Sequence, residues 1–201
     1  MKHDPGVVLP PDMGPEFGLA PKQVETLRRF GNWLLEEALP AGGIGRNEPN
    51  RLWQRHLADS LIFARPFPGR PATLVDLGSG VGLPGIPLAI RWPQTEVMLL
   101  DRSGKRVDLA RRAVRVLELD NVTCLQGDFA DPMGRRFDGA VARALTSPRL
   151  LRPVIGSWLV AEGAGVVGGS WRSPPTAPGF QTLEVRSKML DRAVWLLIMR
   201  G

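Results

Sequence analysis

Tyrosine is absent from this 201-residue sequence, cysteine occurs once and histidine twice. The single Cys124 excludes an intramolecular disulfide framework and a cysteine-rich zinc site. His3 and His56 are too few for a histidine-based metal centre, so no metal is expected. Long apolar runs are missing too: the longest, Ala193 to Met199, falls far short of the ~20 residues that span a bilayer. The first residues, Met1 to Gly14, lack the apolar stretch of a signal peptide. These absences predict a soluble cytoplasmic protein with no membrane partner.

Lysine is scarce as well. It supplies four of the 26 basic residues, and arginine supplies the other 22. Against 20 acidic residues the formal balance is +6. Such a balance permits binding to nucleic acid or another polyanion without requiring it. Arginine richness can equally follow the base composition of a genome. At ~150 residues per domain the length suggests one domain with an appendage.

Residues 1–20 are rich in proline and glycine without periodicity, which predicts a flexible or surface-draped arm. Residues 21–72 predict a helical segment. Pro21 suits a first helical turn, Val24, Leu27, Gly31, Leu34 and Ala38 follow a helical stripe, and Pro40 stops it. Leu52 to Ala64 reads as a second helix. From residue 73 to 201 short buried strands alternate with helices: strands at 73–77, 96–100, 122–125, 137–142 and 163–167, then two further candidates at 182–186 and 193–199. This alternation predicts an open α/β sheet, parallel through its first five strands. Ligands of such sheets sit beyond the C-terminal ends of the strands.

The first such turn reads Val75-Asp76-Leu77-Gly78-Ser79-Gly80-Val81-Gly82. Small residues let the chain turn tightly and let a ligand approach the backbone. Asp101 ends the second strand, where a carboxylate can accept from both ribose hydroxyls of an adenosine, or can cap the helix that follows. Asp128 follows the third strand and can accept from an adenine amine while Phe129 covers the ring; an ordinary turn aspartate is the alternative. Asp76 chooses among adenosine ligands. A pyrophosphate against this turn would be repelled by that carboxylate, whereas S-adenosylmethionine carries an ammonium and a cationic sulfur. Leu83 stands where the dinucleotide fingerprint would finish on glycine, which again disfavours NAD.

Methyl transfer from a sulfonium is an in-line displacement, and the acceptor decides what else is needed. Cytosine C5 requires a cysteine nucleophile, but Cys124 falls in a predicted buried strand. Exocyclic amines usually meet an Asn/Asp-Pro-Pro-aromatic corner after strand four, and this sequence has Ala142-Arg143-Ala144-Leu145 there. A ring nitrogen such as guanine N7 offers a free lone pair and needs no base. Arg143 could donate to guanine O6, to a phosphate or to the cofactor carboxylate; it could equally pair with Asp138 or cap the sheet. His56, Asp59 and Ser60 share one helix without an oxyanion hole or nucleophile elbow, so a hydrogen-bond cluster fits better than a hydrolytic triad. Arg102, Lys105, Arg106, Arg111, Arg112 and Arg115 form a basic helix face, either merely solvated or a track for RNA phosphates.

Three stretches resemble the glucose-inhibited division protein B family, bacterial 16S rRNA guanine-N7 methyltransferases. They are Arg55-His56-Leu57-Ala58-Asp59-Ser60-Leu61, Val75 to Ala89 with its Gly82-Leu83-Pro84-Gly85-Ile86-Pro87 extension, and Leu99-Leu100-Asp101-Arg102-Ser103-Gly104-Lys105-Arg106-Val107. The resemblance implies a Rossmann-like class I S-adenosylmethionine-dependent methyltransferase fold with an N-terminal helical extension. It implies cofactor contacts at Gly78 and Leu83, at Phe129 and Ala130, and at Arg143, beside those read from Asp76, Ser79, Gly80, Gly82, Asp101 and Asp128. It implies Arg143 as the catalytic residue, 16S rRNA or the small ribosomal subunit as partner, and a monomer. The sequence departs from the family's habit at 45–48, at Ala130, at Leu145-Thr146 and at Gly168-Gly169. Two other readings keep the fold: a small-molecule methyltransferase and a non-catalytic cofactor-binding relative.

Overall fold

The computed structural model describes residues 9–45, 51–144 and 148–200. His3, the connector residues 46–48 and the pair Leu145-Thr146 lie outside them. One sheet holds β1 (Thr73–Leu77), β2 (Glu96–Asp101), β3 (Val122–Gln126), β4 (Phe137–Arg143), β5 (Leu159–Gly168), β6 (Gln181–Val185) and β7 (Val194–Arg200). Their order is β3-β2-β1-β4-β5-β7-β6. The first five strands run parallel, as the strand–helix alternation predicts, and β7 lies antiparallel between β5 and β6.

Strand side chains alternate between two apolar layers because successive residues point to opposite faces. Leu74, Leu99, Val141, Val166 and Leu196 join the layer beneath the N-terminal helices, α4 (Gly85–Arg91) and α5 (Gly104–Leu117). Val75, Leu100, Ala140, Val167 and Leu197 join the layer beneath α6 (Pro148–Trp158). Trp158 is fully buried there, and its Nε1–H donates to the Phe129 carbonyl at 2.7 Å. That bond ties α6 to the loop after β3, a loop with no regular ladder of its own.

The N-terminal segment departs from expectation in one respect. Within the arm expected over residues 1–20, a short helix not foreseen in the sequence, α1 (Met13–Phe17), buries Met13 and Phe17 and ends at Gly18 with φ of 60°. Five residues are too few to show helical periodicity. Apolar packing, and an ion pair at 2.6 Å between Glu16 and Arg65, hold the element in place. α2 (Pro21–Trp33) starts at Pro21, as predicted. The Gln23 side chain accepts from Ala20 N–H and donates to the carbonyls of Ile90 and Arg91, fixing α2 to the end of α4.

The predicted helix 52–64 is a composite. π-type turns over Trp53–Ala58 pass into α3 (Asp59–Leu61) and then into 3-10 turns over Ile62–Ala64. Wide π turns shift side chains out of α register and are frequent at functional sites. A second difference concerns Cys124, expected in a buried strand. β3 lies at the sheet edge and leaves Cys124 half-buried. That burial still pushes its thiol up to about 11, so the thiolate is disfavoured at neutral pH.

Candidate functional site

The order of the strands reverses between β1 and β4, where crossovers leave in opposite directions and open a crevice above the strand ends. The glycine turn after β1 is pinned to β2: Gly78 N–H and Ser79 N–H both donate to the Leu100 carbonyl, at 2.8 and 3.0 Å. The Ser79 carbonyl then accepts from Gly82 N–H and Leu83 N–H, each at 2.9 Å. Gly80 has φ of 59°, a left-handed value costly to a residue with a Cβ, and nothing lies within 4 Å of where a Cβ would stand. The turn is therefore bare on its outer side.

Asp76 lies beneath this turn, fully buried. Its Oδ2 accepts from Gly85 N–H at 2.7 Å, whereas its Oδ1 has no hydrogen-bond partner. Burial pushes its carboxyl up to about 7, against the opposing pull of the Gly85 N–H and of Arg143. Glycine at 85 is required by close approach, since a Cβ there would stand 2.8 Å from Asp76 Oδ2 and 2.2 Å from Leu99 Cδ2.

Asp101 takes the helix-opening role and braces the glycine turn as well. Its Oδ2 accepts from Gly80 N–H at 3.0 Å and its Oδ1 from Ser103 N–H at 2.9 Å. The carboxylate thus holds the glycine turn and opens α5 together, and each oxygen keeps a lone pair for a further donor. Arg106 Nη1 lies 3.8 Å from Asp101 Oδ2.

Two cavities open at this end of the sheet. The smaller, about 200 Å³, is lined by Gly78, Leu100, Asp101, Phe129, Arg143 and Ala144, together with Arg102, Arg106 and Gly127. The larger, about 280 Å³, lies between the composite helix and the ends of β4 and β5. Arg51, Gln54, Arg55, His56 and Asp59 form one side, and Gly168, Gly169 and Arg192 belong to the other. Arg143 and Ala144 line both cavities. Arg143 pairs with Asp59 at 3.5 Å and not with Asp138, whose carboxylate accepts instead from the backbone and hydroxyl of Thr73. That correction has a simple cause: Arg143 and Asp138 lie at opposite ends of β4. Asp59 and Arg143 join the composite helix to the sheet, while the Ser60 hydroxyl donates to the His56 carbonyl within the helix.

A sequence profile of the family described as rRNA small subunit methyltransferase G matches residues 23–163. The chain belongs to this family. It is 45% identical over 101 residues to the ribosomal RNA small subunit methyltransferase G of Klebsiella pneumoniae subsp. pneumoniae, covering 50% of this chain and 48% of that protein. The protein of the same name from Chromohalobacter salexigens is 38% identical over 135 residues, covering 64% of each. The chain spans about half the length of several curated relatives it matches. Among solved structures it resembles TrmN from Thermus thermophilus, with a TM-score of 0.56 and 19% identity over 70% of this chain and 47% of that one. It also resembles MtNAS in complex with MTA and tNA, with a TM-score of 0.56 and 17% identity over 90% and 70%. At such identities the likeness concerns the fold, an α/β class I methyltransferase sheet with N-terminal helices.

Of the positions that the likeness to the methyltransferase G family implies, Gly78, Phe129 and Arg143 line the smaller cavity, together with Asp101. Asp76, Ser79, Gly80, Gly82 and Leu83 support the turn without lining that cavity. Asp128 and Ala130 stand outside its wall: both are exposed, and Asp128 Oδ1 accepts from Ala130 N–H at 2.9 Å in an ordinary turn. Arg51, Gln54 and Arg192 are cavity residues that sequence reasoning missed. Only the adjacency of Arg51 and Gln54 to the Arg55-His56 motif could have signalled them. The departure at Gly168 has a local reason, because a Cβ there would stand 2.3 Å from Phe63 Cζ. Among the described residues no cluster of His, Cys, Asp and Glu suits a metal ion, and no helix is long and apolar enough to cross a membrane.

Proposed function

We propose that this chain transfers the methyl group of S-adenosylmethionine to N7 of a guanine in 16S rRNA. The observation that carries the reading is the pair of cavities meeting at Arg143, one suited to an adenosine and the other rich in arginine. The cofactor fits the residues present. Asp101 keeps lone pairs for two ribose hydroxyls, Phe129 offers an apolar face to adenine, and the bare turn at Gly80 admits close approach. Beneath them, the half-satisfied carboxylate of Asp76 favours a cationic ligand over a diphosphate. When bound, S-adenosylmethionine supplies an electrophilic methyl on a sulfonium.

The chain's own task is then to hold an acceptor lone pair in line with that methyl and to exclude water. Guanine N7 presents its lone pair without deprotonation, so the residues need only position the base. Arg143, on both cavity walls, is the side chain able to orient base and cofactor together. The exposed face of α5, with Lys105 and Arg115, and the exposed Arg102 just before it suit RNA phosphates. Three members of the predicted basic face are engaged within the protein: Arg106 with Asp101, Arg111 with Asp108 and Arg112 with Glu37.

The test combines calorimetry with methyl transfer. S-adenosylmethionine should bind and NAD should not; the reverse refutes the cofactor assignment. Labelled methyl should enter 30S subunits or naked 16S rRNA as N7-methylguanine, and RNA affinity should fall steeply with salt. Label entering only a metabolite extract refutes the RNA assignment. Binding without transfer to any acceptor favours the non-catalytic reading.

A further inference from the structure

The larger cavity is walled by four arginines, Arg51, Arg55, Arg143 and Arg192, against two aspartates, Asp59 and Asp191. Asp191 is engaged by Arg51 at 2.9 Å. Asp59 is held more loosely. Its Oδ2 lies 3.5 Å from Arg143 Nη1, a long contact. A carboxylate so placed is expensive: burial raises its affinity for a proton, opposed by Arg143, Arg192 and Arg55 around it. A phosphate-binding cleft would gain from a neutral residue here, so the acidic group calls for a donor-bearing ligand.

We propose that the larger cavity receives the acceptor base and that the Asp59–Arg143 pair reads it as guanine. Arg143 donates to O6, and the adjacent Asp59 carboxylate accepts from N1–H and the exocyclic amine. The match follows from the order of groups on the base. O6, an acceptor, neighbours N1–H, a donor, just as a guanidinium neighbours a carboxylate in this pair. Adenine inverts both groups, setting an amine against Arg143 and a bare ring nitrogen against Asp59. In guanine, N7 flanks O6 on the side away from N1. With O6 on Arg143, N7 is therefore turned from Asp59 toward the cofactor cavity that Arg143 also lines. The surrounding arginines suit the flanking phosphates, and reading a splayed-out base by its edge is the common route to sequence-specific RNA recognition. The inference rests on the methyl-transfer reading and names its specificity residue.

The experiment saturates the protein with S-adenosylhomocysteine, which fills the adenosine site, and titrates guanosine, inosine and adenosine 5′-monophosphates. Inosine lacks only the exocyclic amine. The native chain should bind the guanosine nucleotide about tenfold more tightly than the inosine one, and the adenosine one least. In Asp59→Asn the guanosine and inosine nucleotides should bind alike, and Asp59→Glu should recover part of the preference. S-adenosylhomocysteine affinity and the unfolding midpoint verify that the variants fold. A preference surviving in Asp59→Asn overturns the proposal. So does equal binding of guanosine and inosine nucleotides by the native chain, or binding of neither, and these two results need no variant. If 30S subunits accept label while the two nucleotides bind alike, the base-reading role falls and the methyl-transfer reading stands. If S-adenosylhomocysteine does not bind, the methyl-transfer reading falls and takes this inference with it.

Discussion

Replacing Asp76 with asparagine should stabilise the free protein while weakening its grip on the cofactor. The carboxyl titrates at about 7 in the folded chain against its ordinary 3.8, chiefly because burial penalises the charge. Between those pH values the folded chain keeps a proton that the unfolded chain has released. Stability from this group is therefore greatest below pH 3.8, declines as pH rises and reaches its floor above 7. At about 1.4 kcal/mol per pH unit the loss accumulates to roughly 4 kcal/mol. Asparagine has no charge to bury and its carbonyl can still accept from Gly85 N–H. Urea unfolding at pH 4 should separate the two proteins little, and at pH 8 should favour Asp76→Asn by up to roughly 4 kcal/mol. In a thermal scan at pH 8 that is on the order of 10 °C. The same variant should bind S-adenosylmethionine more weakly at pH 8, having lost the charge that attracts a cation. In the native chain, affinity should rise with pH through about 7 as Asp76 ionises. A variant less stable than the parent by the same amount at both pH values would refute this reasoning, because the carboxylate would then be charged and fully satisfied in the fold.

Two other substitutions probe the same turn. Asp101→Ala should weaken S-adenosylmethionine binding in calorimetry at least tenfold. It should also cost about 1–3 kcal/mol of stability, since Gly80 N–H and Ser103 N–H lose their acceptor; unchanged affinity would leave Asp101 with the structural role alone. Gly85→Ala should destabilise by about 1–3 kcal/mol or more in denaturant unfolding, because its methyl would press on Leu99 and Asp76 together. A neutral result would mean that the layer beneath α4 can yield.

The parallel half of the sheet was legible because its strand cores are mostly apolar, and because the alternation with helices admits few topologies. Asp101 was legible from its place at a strand end, and the structure adds that one carboxylate both opens α5 and braces the glycine turn. At Asp128 the structure shows a bond to the N–H two residues on, and a carboxylate after a strand looks the same in sequence whether it faces a ligand, makes that bond or does both. α1 was missed because its stability comes from long-range packing of Met13 and Phe17, not from local propensity. The larger cavity was hidden for a related reason. Its walls join residues as far apart as Arg51 and Asp191, which meet only through the tertiary fold. The π turns over Trp53–Ala58 leave no mark in hydrophobic periodicity, yet they set which side chains of that helix reach the cavity.

A guanidinium that belongs to two compartments at once cannot be dissected by ordinary steady-state kinetics. On the proposed methyl-transfer reading, an exchange at Arg143, which lines both cavities, should alter the dissociation constants of donor and acceptor in the same stroke, so a fall in turnover there would not say which ligand was lost. Assigning blame would require equilibrium measurements with each compartment filled separately, and the difference between them would report how strongly the two halves of the reaction sense one another.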